Sequence, residues 1–332
     1  MSKKTDTDKK TRIGGQALIE GIMMKGVSTG AMAVRMKDGS IDVEEWDIND
    51  KKWYEKVPII RGSFNFVKTL TEGYTYMTKS AEKSGMMEDD SDEEQTKFEK
   101  WLDDKLGDKL TGVIMGIAMV IAVALAVVMF LFVPSYIFTG IEYLAGDADI
   151  SGWRTVFEGV LKIAMFVGYM ALVAQMKDIR RTYEYHGAEH KTITCYEQGK
   201  ELTVENVRQM CRFHPRCGTS FIIITLLVSI LVYMVVPITP DMFKEWLGIE
   251  NDGLAILLRV VCKLILLPLV VGISYELIKL AGRYTNIFTK IISAPGLWMQ
   301  RLTTREPDDS QIEIAIAAIT PCLPKEGEDD SW

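Results

Sequence analysis

Histidine and cysteine are scarce in this chain, which has three histidines and five cysteines among its 332 residues. Five cysteines in a chain of this length do not make a disulfide framework. All three histidines and three of the five cysteines nevertheless fall between His186 and Cys217. Imidazole and thiol groups both bind metal ions, so this clustering is the strongest chemical signal in the sequence.

The chain also lacks an excess of positive charge and an apolar segment at its N-terminus. Its formal net charge is −7, and we expect no nucleic-acid partner, because phosphate binding needs a concentrated basic face that is not visible here. Residues 1–11 form a charged, polar tail with no apolar run after it. This pattern argues against a cleaved signal peptide, and we expect the tail to be disordered.

Long apolar runs, in contrast, are frequent. Hydrophobic residues make up 48% of the chain and charged residues 25%, a split that is typical of membrane spans alternating with soluble segments. A helical span needs roughly 20 apolar residues, and four segments of the chain reach this length. The second of them contains Glu158 and Lys162, which leaves a buried soluble helix as its alternative.

Lysine and arginine are distributed unequally among the connections. Segment 177–217 has eight of them and segment 279–305 has five. Segment 139–153 has none, and segment 240–253 has only Lys244. Because cytoplasmic loops carry an excess of basic residues, we expect both termini and segment 177–217 to face the cytoplasm, where thiols stay reduced and can bind a metal.

Residues 12–84 have the signals of a small α+β unit. Two strand-like runs flank Asp38-Gly39, a pair that favours a hairpin turn. Apolar residues at spacings of three and four then predict a helix over 61–84. The glycine-rich stretch 14–26 lacks the ending of a phosphate-binding loop. We interpret its glycines as turn residues, with a turn docked on the histidine-rich segment as the alternative.

Residues 281–332 are predicted to form an interfacial segment followed by a tail. Apolar and basic residues over 284–302 suit a helix that lies flat in the membrane interface, with a break at Pro295. Thr303 and Glu306, three residues apart and followed by a proline, have the signature of a helix start. A short helix rich in isoleucine should follow.

Together these features predict a mainly α-helical polytopic protein of the cytoplasmic membrane, with four transmembrane helices and a small cytoplasmic α+β N-terminal unit. The lipid bilayer is its expected surrounding, and the sequence does not determine its oligomeric state. The predicted segments are a tail (1–11), the α+β unit (12–84), an acidic linker and juxtamembrane helix (85–110), the spans (113–138, 156–175, 220–238 and 254–278), a cytoplasmic His/Cys loop (177–217) and the interfacial segment with its tail (281–332).

His186, Glu189 and His190 form the string His-x-x-Glu-His. On a helix, residues four apart share a face, so both imidazoles can reach one ion. The same string is found in inverted zinc peptidases, in which the acid activates water at the metal. Gly187 within the string lowers helix propensity by roughly 1 kcal/mol relative to alanine, so the sequence does not ensure that a helix forms.

A second set of donors follows at spacings of three, formed by Cys211, His214 and Cys217. Neighbouring arginines favour the thiolate form of Cys217. Cys195 is placed less well by its spacing. Zinc, with iron as the alternative, suits such ligands and takes about four of them. The predicted metal ligands are His186, His190, His214 and Cys217.

Two classes of function follow from the number of ligands. If three ligands leave a position open beside Glu189, that residue is the general base of a metal-dependent hydrolase acting on an amide, ester or phosphoester. If four ligands close the site, the metal is structural. The chain would then be a non-enzymatic membrane scaffold or regulator that binds another membrane protein, such as insertion or quality-control machinery.

A third function, transport, rests only on Arg259 and Lys263. These residues lie four positions apart inside the fourth span, where charge is costly and therefore suggests a role. The alternative is that Arg259 extends outward to the interface and Lys263 lies near a water-filled seam. Four spans without a detectable repeat make a poor transporter.

Four stretches of the sequence carry a further signal. They are Gly14-Gly15-Gln16-Ala17 with Glu20-Gly21 and Met23-Met24, Arg61-Gly62, His186-Gly187-Ala188-Glu189-His190-Lys191, and Arg216-Cys217-Gly218-Thr219-Ser220-Phe221. They resemble the YqhQ family of bacterial membrane proteins, over about residues 12–319. The resemblance implies a multi-pass membrane protein and a metal-dependent enzyme of no stated substrate, and it gives Cys211 no role. The metal-binding or catalytic residues that it implies are His186, Glu189, His190, His214 and Cys217.

Overall fold

A computed structural model of the chain describes residues 10–49, 52–86, 110–146, 148–236, 238–284 and 286–332. Most of the predicted tail 1–11 and of the predicted acidic linker 85–110 lies outside the described residues. The chain divides into two compact units. Unit 1 comprises Met1–Met87, Phe166–Val228 and Pro268–Trp332, and unit 2 comprises Glu88–Met165 and Ser229–Leu267.

Unit 1 contains a four-stranded antiparallel sheet whose strands follow one another in chain order. The strands are β1 (Gly14–Leu18), β2 (Gly21–Lys25), β3 (Thr29–Arg35) and β4 (Ile41–Asp47). Arg35 pairs with Ile41 at the end of the β3–β4 hairpin. Gly39 in the turn has φ of 84°, a conformation that costs glycine little because it has no Cβ. The hairpin predicted at Asp38-Gly39 is therefore confirmed.

Helices of unit 1 pack on both faces of this sheet. They are α1 (Ile60–Lys83), α5 (Lys177–Glu197) and α11 (Asp309–Ile319). On β2, Ile22 and Met24 share a core with Tyr185 of α5 and with α11. Met23 points to the other face, where the core includes Tyr76 of α1. Side chains alternate between the faces of a strand, so a strand buried on both faces reads as a continuous apolar run.

The remaining helices follow the chain order. They are α2 (Leu110–Val127), α3 (Val133–Ala145), α4 (Arg154–Val173), α6 (Val204–Arg208), α7 (Gly218–Val235), α8 (Pro240–Leu247), α9 (Asp252–Arg283) and α10 (Ile287–Thr303). Within the described ranges, four segments are long and apolar enough to cross a membrane. They are Gly116–Ala145, Ser151–Val173, Gly218–Leu247 and Asp252–Arg283. The prediction of a mainly helical chain with four such helices and a small N-terminal sheet is confirmed.

Two predictions for the C-terminal part are wrong. Helix α10 continues through Pro295 without a break. The neighbouring Gly296 lies against Ser220 so closely that a Cβ would be 2.3 Å from the Ser220 Oγ. This packing stabilises a helix whose proline removes one backbone hydrogen bond.

The last helix begins at Asp309 rather than directly after Thr303. Asp308 is its N-cap and exchanges a capping-box pair of hydrogen bonds with Gln311. Aspartate caps a helix at least as well as threonine, and Pro307 disfavours helical backbone at the residue before it. The helix start therefore lies beyond the proline.

Candidate metal centre

Helix α5 carries the string His-x-x-Glu-His and places its two histidines on one face. The ring centroids of His186 and His190 are 4.4 Å apart. The helix forms although it contains Gly187. Without a Cβ at this position, the segment around Arg305 can pack directly against the helix. A Cβ on Gly187 would lie 1.9 Å from the carbonyl oxygen of Arg305. The close packing compensates for the roughly 1 kcal/mol of helix propensity that glycine loses.

Backbone carbonyls hold both imidazole rings. His186 Nδ1 is 2.7 Å from the carbonyl oxygen of Thr303, and His190 Nδ1 is 2.6 Å from that of Arg212. A carbonyl oxygen can only accept a hydrogen bond, so each Nδ1 carries a hydrogen and donates it. Each ring therefore turns its Nε2 to the other side, which is the usual arrangement of metal-binding histidines.

Cys217 brings a sulfur atom to these two nitrogens. Its Sγ is 3.1 Å from His186 Nε2, and the donor atoms of His186, His190 and Cys217 all lie within 4.8 Å of one another. Cys217 precedes the first residue of α7, and its Sγ accepts a hydrogen bond from the Thr219 backbone N–H at 3.4 Å. Donor atoms around one zinc ion are about 3.3 to 3.6 Å apart, so small adjustments would let the three bind one ion.

The charges of these three side chains depend on one another. Burial disfavours the Cys217 thiolate, but the two histidines outweigh this effect and hold the pKa of Cys217 well below its usual value. Burial also disfavours the charged His186, but attraction to Cys217 raises the pKa of His186 to about 9. A thiolate and an imidazole lone pair that face each other need a cation between them, either a proton or a metal ion. Two imidazoles and one thiolate are a donor set that zinc prefers.

Glu189 is buried next to this cluster and is only partly hydrogen-bonded. The backbone N–H of Gly15 in β1 donates to its carboxylate, and a Cβ on Gly15 would lie 3.1 Å from Oε1. Among the residues that the structure describes, Oε2 has no hydrogen-bond partner. Burial raises the pKa of Glu189, although the two histidines act in the opposite direction. Since buried polar atoms are nearly always paired, Oε2 fits a site that takes a further group.

His214 lies outside the group of three donors. Its Nε2 is 3.3 Å from Oε2 of Glu197, and its ring centroid is 5.6 Å from that of His190. The side chain of Gln300 bonds both the backbone N–H and the carbonyl of His214, at 2.8 and 2.7 Å. Burial lowers the pKa of His214. The fourth predicted ligand therefore belongs to a neighbouring hydrogen-bond network.

The two weaker cysteine candidates also lie apart from the three donors. Cys211 is exposed, and its Sγ accepts a hydrogen bond from the Phe213 backbone N–H at 3.4 Å. Cys195 is buried, and its Sγ is 3.6 Å from the carbonyl oxygen of Glu201. Burial raises the pKa of Cys195, which opposes the thiolate form that binds metal.

Several groups that orient the centre carry little signal in the sequence. The carbonyls of Thr303 and Arg212 have none, because every residue has a carbonyl. Gly15 has a partial signal, since it belongs to the glycine-rich stretch. Both interpretations of that stretch as a turn are wrong for Gly14, Gly15 and Gly21, which lie in β1 and β2, but Gly15 does contact Glu189 of the histidine-rich segment.

Comparisons with known proteins cover almost the whole chain. A family described as "Protein of unknown function (DUF1385)" matches residues 57–325. A Bacillus subtilis (strain 168) protein named "Uncharacterized protein YqhQ" is 33% identical over 321 residues, which cover 93% of this chain and 92% of the relative. No solved structure matches.

Proposed function

The chain belongs to the DUF1385 family, which confirms its resemblance to YqhQ, and from this premise we propose that it is a multi-pass membrane hydrolase with a zinc-type centre at the cytoplasmic face. His186, His190 and Cys217 hold the metal, and Glu189 is the general base. The observation that carries the proposal is the free carboxylate oxygen of Glu189 beside three convergent donor atoms.

Exposed apolar helices support insertion into a membrane. In the segment Gly116–Ala145, for example, the side chains of Val120 and Leu125 are 69% and 63% exposed. Leaving such side chains in water costs about 25 cal/mol per Å² of apolar surface, whereas lipid solvates them. The excess of lysine and arginine in segment 177–217 favours the cytoplasmic side for this segment and therefore for the centre.

Three protein donors and a separate fourth histidine support a catalytic arrangement. Catalytic zinc sites keep one position open, whereas structural sites fill all four with protein ligands. With His214 bonded to Glu197, a metal held by the other three residues would keep a fourth position for substrate or water. When bound, zinc acts as a Lewis acid that polarises a carbonyl or phosphoryl oxygen and makes nearby water more acidic. Iron is the alternative metal.

Glu189 performs the proton transfer in the proposed reaction. The Gly15 N–H holds one carboxylate oxygen, and Oε2 is free to take a proton from water and to return it to the leaving group. A positioned general base contributes about 10²- to 10⁴-fold to a reaction rate. The proposed substrates are amides, esters or phosphoesters, because these compounds contain an oxygen that a Lewis acid can polarise.

Metal analysis of the full-length chain, purified in detergent, tests the centre. We expect about one zinc per chain in the wild type and at least ~100-fold weaker binding in His190→Ala and Cys217→Ser, since loss of even an outer partner costs about 10- to 100-fold. Cys211→Ser is the matched control, because Cys211 is exposed and lies outside the donor group. Unchanged zinc content in His190→Ala would remove the centre.

Coordination number and activity test the hydrolase itself. X-ray absorption on the zinc-loaded chain should give three protein ligands, and hydrolysis of an amide, ester or phosphoester should disappear when a chelator removes the metal. A closed shell of four protein ligands, together with inactivity on all three substrate classes, would contradict the proposal.

The burial of the centre favours a second candidate function. His190 and Glu189 are only 1% and 5% exposed, and Gln300 ties the neighbourhood of His214 to α10. A metal enclosed in this way would fasten chain segments together, and the protein would be a scaffold that binds another membrane protein. A single partner that co-purifies in stoichiometric amount, with Glu189→Gln behaving like the wild type, would favour this function.

A further inference from the structure

Unit 2 buries several ionisable side chains, and the basic ones are in excess. On α4, Arg154, Glu158 and Lys162 follow one another at spacings of four, which places them on one face of the helix. On α9, Arg259 and Lys263 have the same spacing. Each of the five is at most 6% exposed. We use the name basic cluster for four of these side chains: Arg154, Lys162, Arg259 and Lys263.

The two basic residues of α9 are fully engaged with Glu158 and its surroundings. Arg259 Nη1 donates to Oε1 of Glu158, and Lys263 Nζ donates to Oε2 at 2.9 Å. Arg259 also donates to Ser135 Oγ at 2.8 Å and to the carbonyl oxygen of Ile238 at 2.7 Å. Both carboxylate oxygens of Glu158 are therefore used by α9.

The two basic residues of α4, in contrast, keep free donors. Arg154 Nη2 donates to Glu142 and to Thr139 Oγ1. Its Nη1 is buried and has no hydrogen-bond partner within the described part of the chain, and it lies 3.8 Å from Glu158. Lys162 is 6% exposed and forms neither a hydrogen bond nor an ion pair with any described residue.

The charges of this region do not balance. Over the described residues, the four basic groups of the cluster meet two carboxylates, those of Glu142 and Glu158. With all four basic groups protonated, this leaves a surplus of two positive charges. Lys162 lies near enough to Glu158 and Arg259 to interact with both electrostatically. Burial of an unpaired charge is costly, and buried donors are nearly always satisfied. An anion with two negative charges and several acceptor atoms would meet both requirements.

We propose that the basic cluster binds a phosphomonoester-type dianion, whose oxygens accept hydrogen bonds from Arg154 Nη1 and Lys162 Nζ. Guanidinium and ammonium groups are the usual donors to phosphate oxygens. A dianion cancels the surplus of two charges, whereas a carboxylate or a phosphodiester cancels only half of it. Inorganic phosphate and the headgroup of phosphatidic acid share this chemistry, and the experiment distinguishes them.

Thermal unfolding of the full-length chain in a neutral detergent is the test. Five additions are compared at equal ionic strength. Inorganic phosphate is compared with chloride, phosphatidic acid with phosphatidylglycerol, and phosphatidylcholine is the zwitterionic control. At about 100 times its dissociation constant, a bound dianion should raise the unfolding midpoint by roughly 5 °C. A shift with phosphate alone identifies the free ion, and a shift with phosphatidic acid alone identifies the lipid headgroup.

Substitution of Lys162 separates a binding role from a structural one. Lys162→Met removes a buried charge that has no partner, so its midpoint without ligand should equal or exceed that of the wild type, while the shift with ligand should be lost. Lys162→Arg keeps the charge and should keep the shift. Lys244→Met is the matched control, since Lys244 belongs to the same unit, pairs with Asp252 and is much more exposed; its shift should equal that of the wild type.

The outcomes decide the proposal in either direction. It fails if neither inorganic phosphate nor phosphatidic acid shifts the wild-type midpoint, or if phosphatidylglycerol and phosphatidylcholine shift it equally. It also fails if Lys162→Met keeps the full shift. If Lys162→Met does not fold, two measurements still test the proposal. They are the midpoint shifts of the wild type with phosphatidic acid and with phosphatidylglycerol, and the shift of Lys162→Arg.

Discussion

The candidate metal centre and the basic cluster bury polar groups of opposite kinds. In the candidate metal centre, the sulfur of Cys217, the Nε2 atoms of two histidines and Oε2 of Glu189 lie together, and a metal ion would replace the one proton between Cys217 and His186. In the basic cluster, Arg154 and Lys162 present N–H groups. As far as the described residues go, the first region has too few hydrogens or cations for its acceptors, and the second has too few acceptors for its donors.

This difference indicates what each region can bind. Buried polar atoms are costly when they lack a partner, so a fold keeps them unpaired chiefly where a further group completes the set. Lone pairs of nitrogen and sulfur select a borderline-soft cation such as zinc. Guanidinium and ammonium groups select an oxyanion. The two proposals for this chain follow from the same rule with opposite signs.

The largest expected effect is on catalysis, through Glu189→Gln. Glutamine has nearly the same shape as glutamate and keeps an acceptor for the Gly15 N–H, but it cannot take a proton. Hydrolysis should fall by about 10²- to 10⁴-fold, while zinc content should stay at that of the wild type. Rates on the most active substrate class, measured with equal amounts of bound zinc, check this prediction.

Loss of zinc together with activity in Glu189→Gln would instead make Glu189 a ligand. The matched control is Glu201→Gln, at a residue of the same segment 177–217 that lies outside the donor group. Its rate and zinc content should be those of the wild type.

Glu158→Gln should strongly destabilise unit 2. Glu158 accepts hydrogen bonds from Arg259 and Lys263, and its loss would raise the surplus of buried positive charge from two to three. Breaking a buried ion pair by removing one partner costs about 3 to 5 kcal/mol. Unfolding of the purified chain in detergent should therefore occur at a clearly lower temperature.

Comparing the unfolding midpoints of Glu158→Gln and Lys162→Met shows whether the effect comes from charge. Both substitutions replace a buried ionised group on α4, but the first increases the surplus and the second decreases it. Opposite signs of the change in midpoint are expected. If both variants unfolded early by the same amount, packing rather than charge would govern the region.

Gly187→Ala should disturb the metal centre without changing any ligand. The added Cβ would lie 1.9 Å from the carbonyl oxygen of Arg305, so α5 and the segment after α10 must separate. Overpacking of this kind costs about 1 to 3 kcal/mol. The shift would also move the Thr303 carbonyl that orients His186, and zinc affinity should fall by about 10- to 100-fold.

Gly168→Ala is the control for this substitution. Gly168 also lies inside a helix, α4, but a Cβ there would meet nothing within 4 Å among the described residues. Alanine raises helix propensity by roughly 1 kcal/mol relative to glycine, so this variant should be at least as stable as the wild type. Equal behaviour of the two variants would show that Gly187 is not needed for the close contact. Calorimetry and zinc titration check both.

Local patterns account for most of the fold that the sequence predicts correctly. The hairpin at Asp38-Gly39 depends on turn chemistry within a few residues, and the four apolar segments depend on length and composition. The helix through Pro295 and the start of α11 at Asp309 depend instead on packing and on a competition between caps. The packing of Gly296 on Ser220 joins residues distant in the chain, so a local pattern cannot contain it. The cap at Asp308 is itself local, and the error there was the choice of Thr303 over Asp308.

The candidate site divides in the same way. The spacing of His186 and His190 on one helix face is local, and Cys217 could be added because few residues of its type occur in the chain. The carbonyls of Thr303 and Arg212 that orient the two rings are set by tertiary structure and have no residue-type signal. The pairing of Glu158 with α9 likewise joins two distant segments, and the sequence indicated only the cost of the charges.

The smallest effect on zinc binding is expected for His214→Gln. The sequence predicts His214 as a metal ligand, but the structure places it beside the three donor residues and not among them. His214 bonds Glu197 through its ring and Gln300 through its backbone, and the backbone bonds do not depend on the side chain. Zinc should remain at one per chain, with less than about a tenfold change in affinity. Outer partners that cost about 10- to 100-fold are those that hydrogen-bond a ligand, whereas the His214 ring bonds Glu197 and none of the three donor side chains. Zinc titration next to Cys217→Ser measures the difference. The contrary result would be that His214→Gln empties the site as completely as Cys217→Ser. The ring of His214 would then have to turn from Glu197 to the metal, and four ligands would close the shell. The non-enzymatic scaffold would in that case be the better description of the chain.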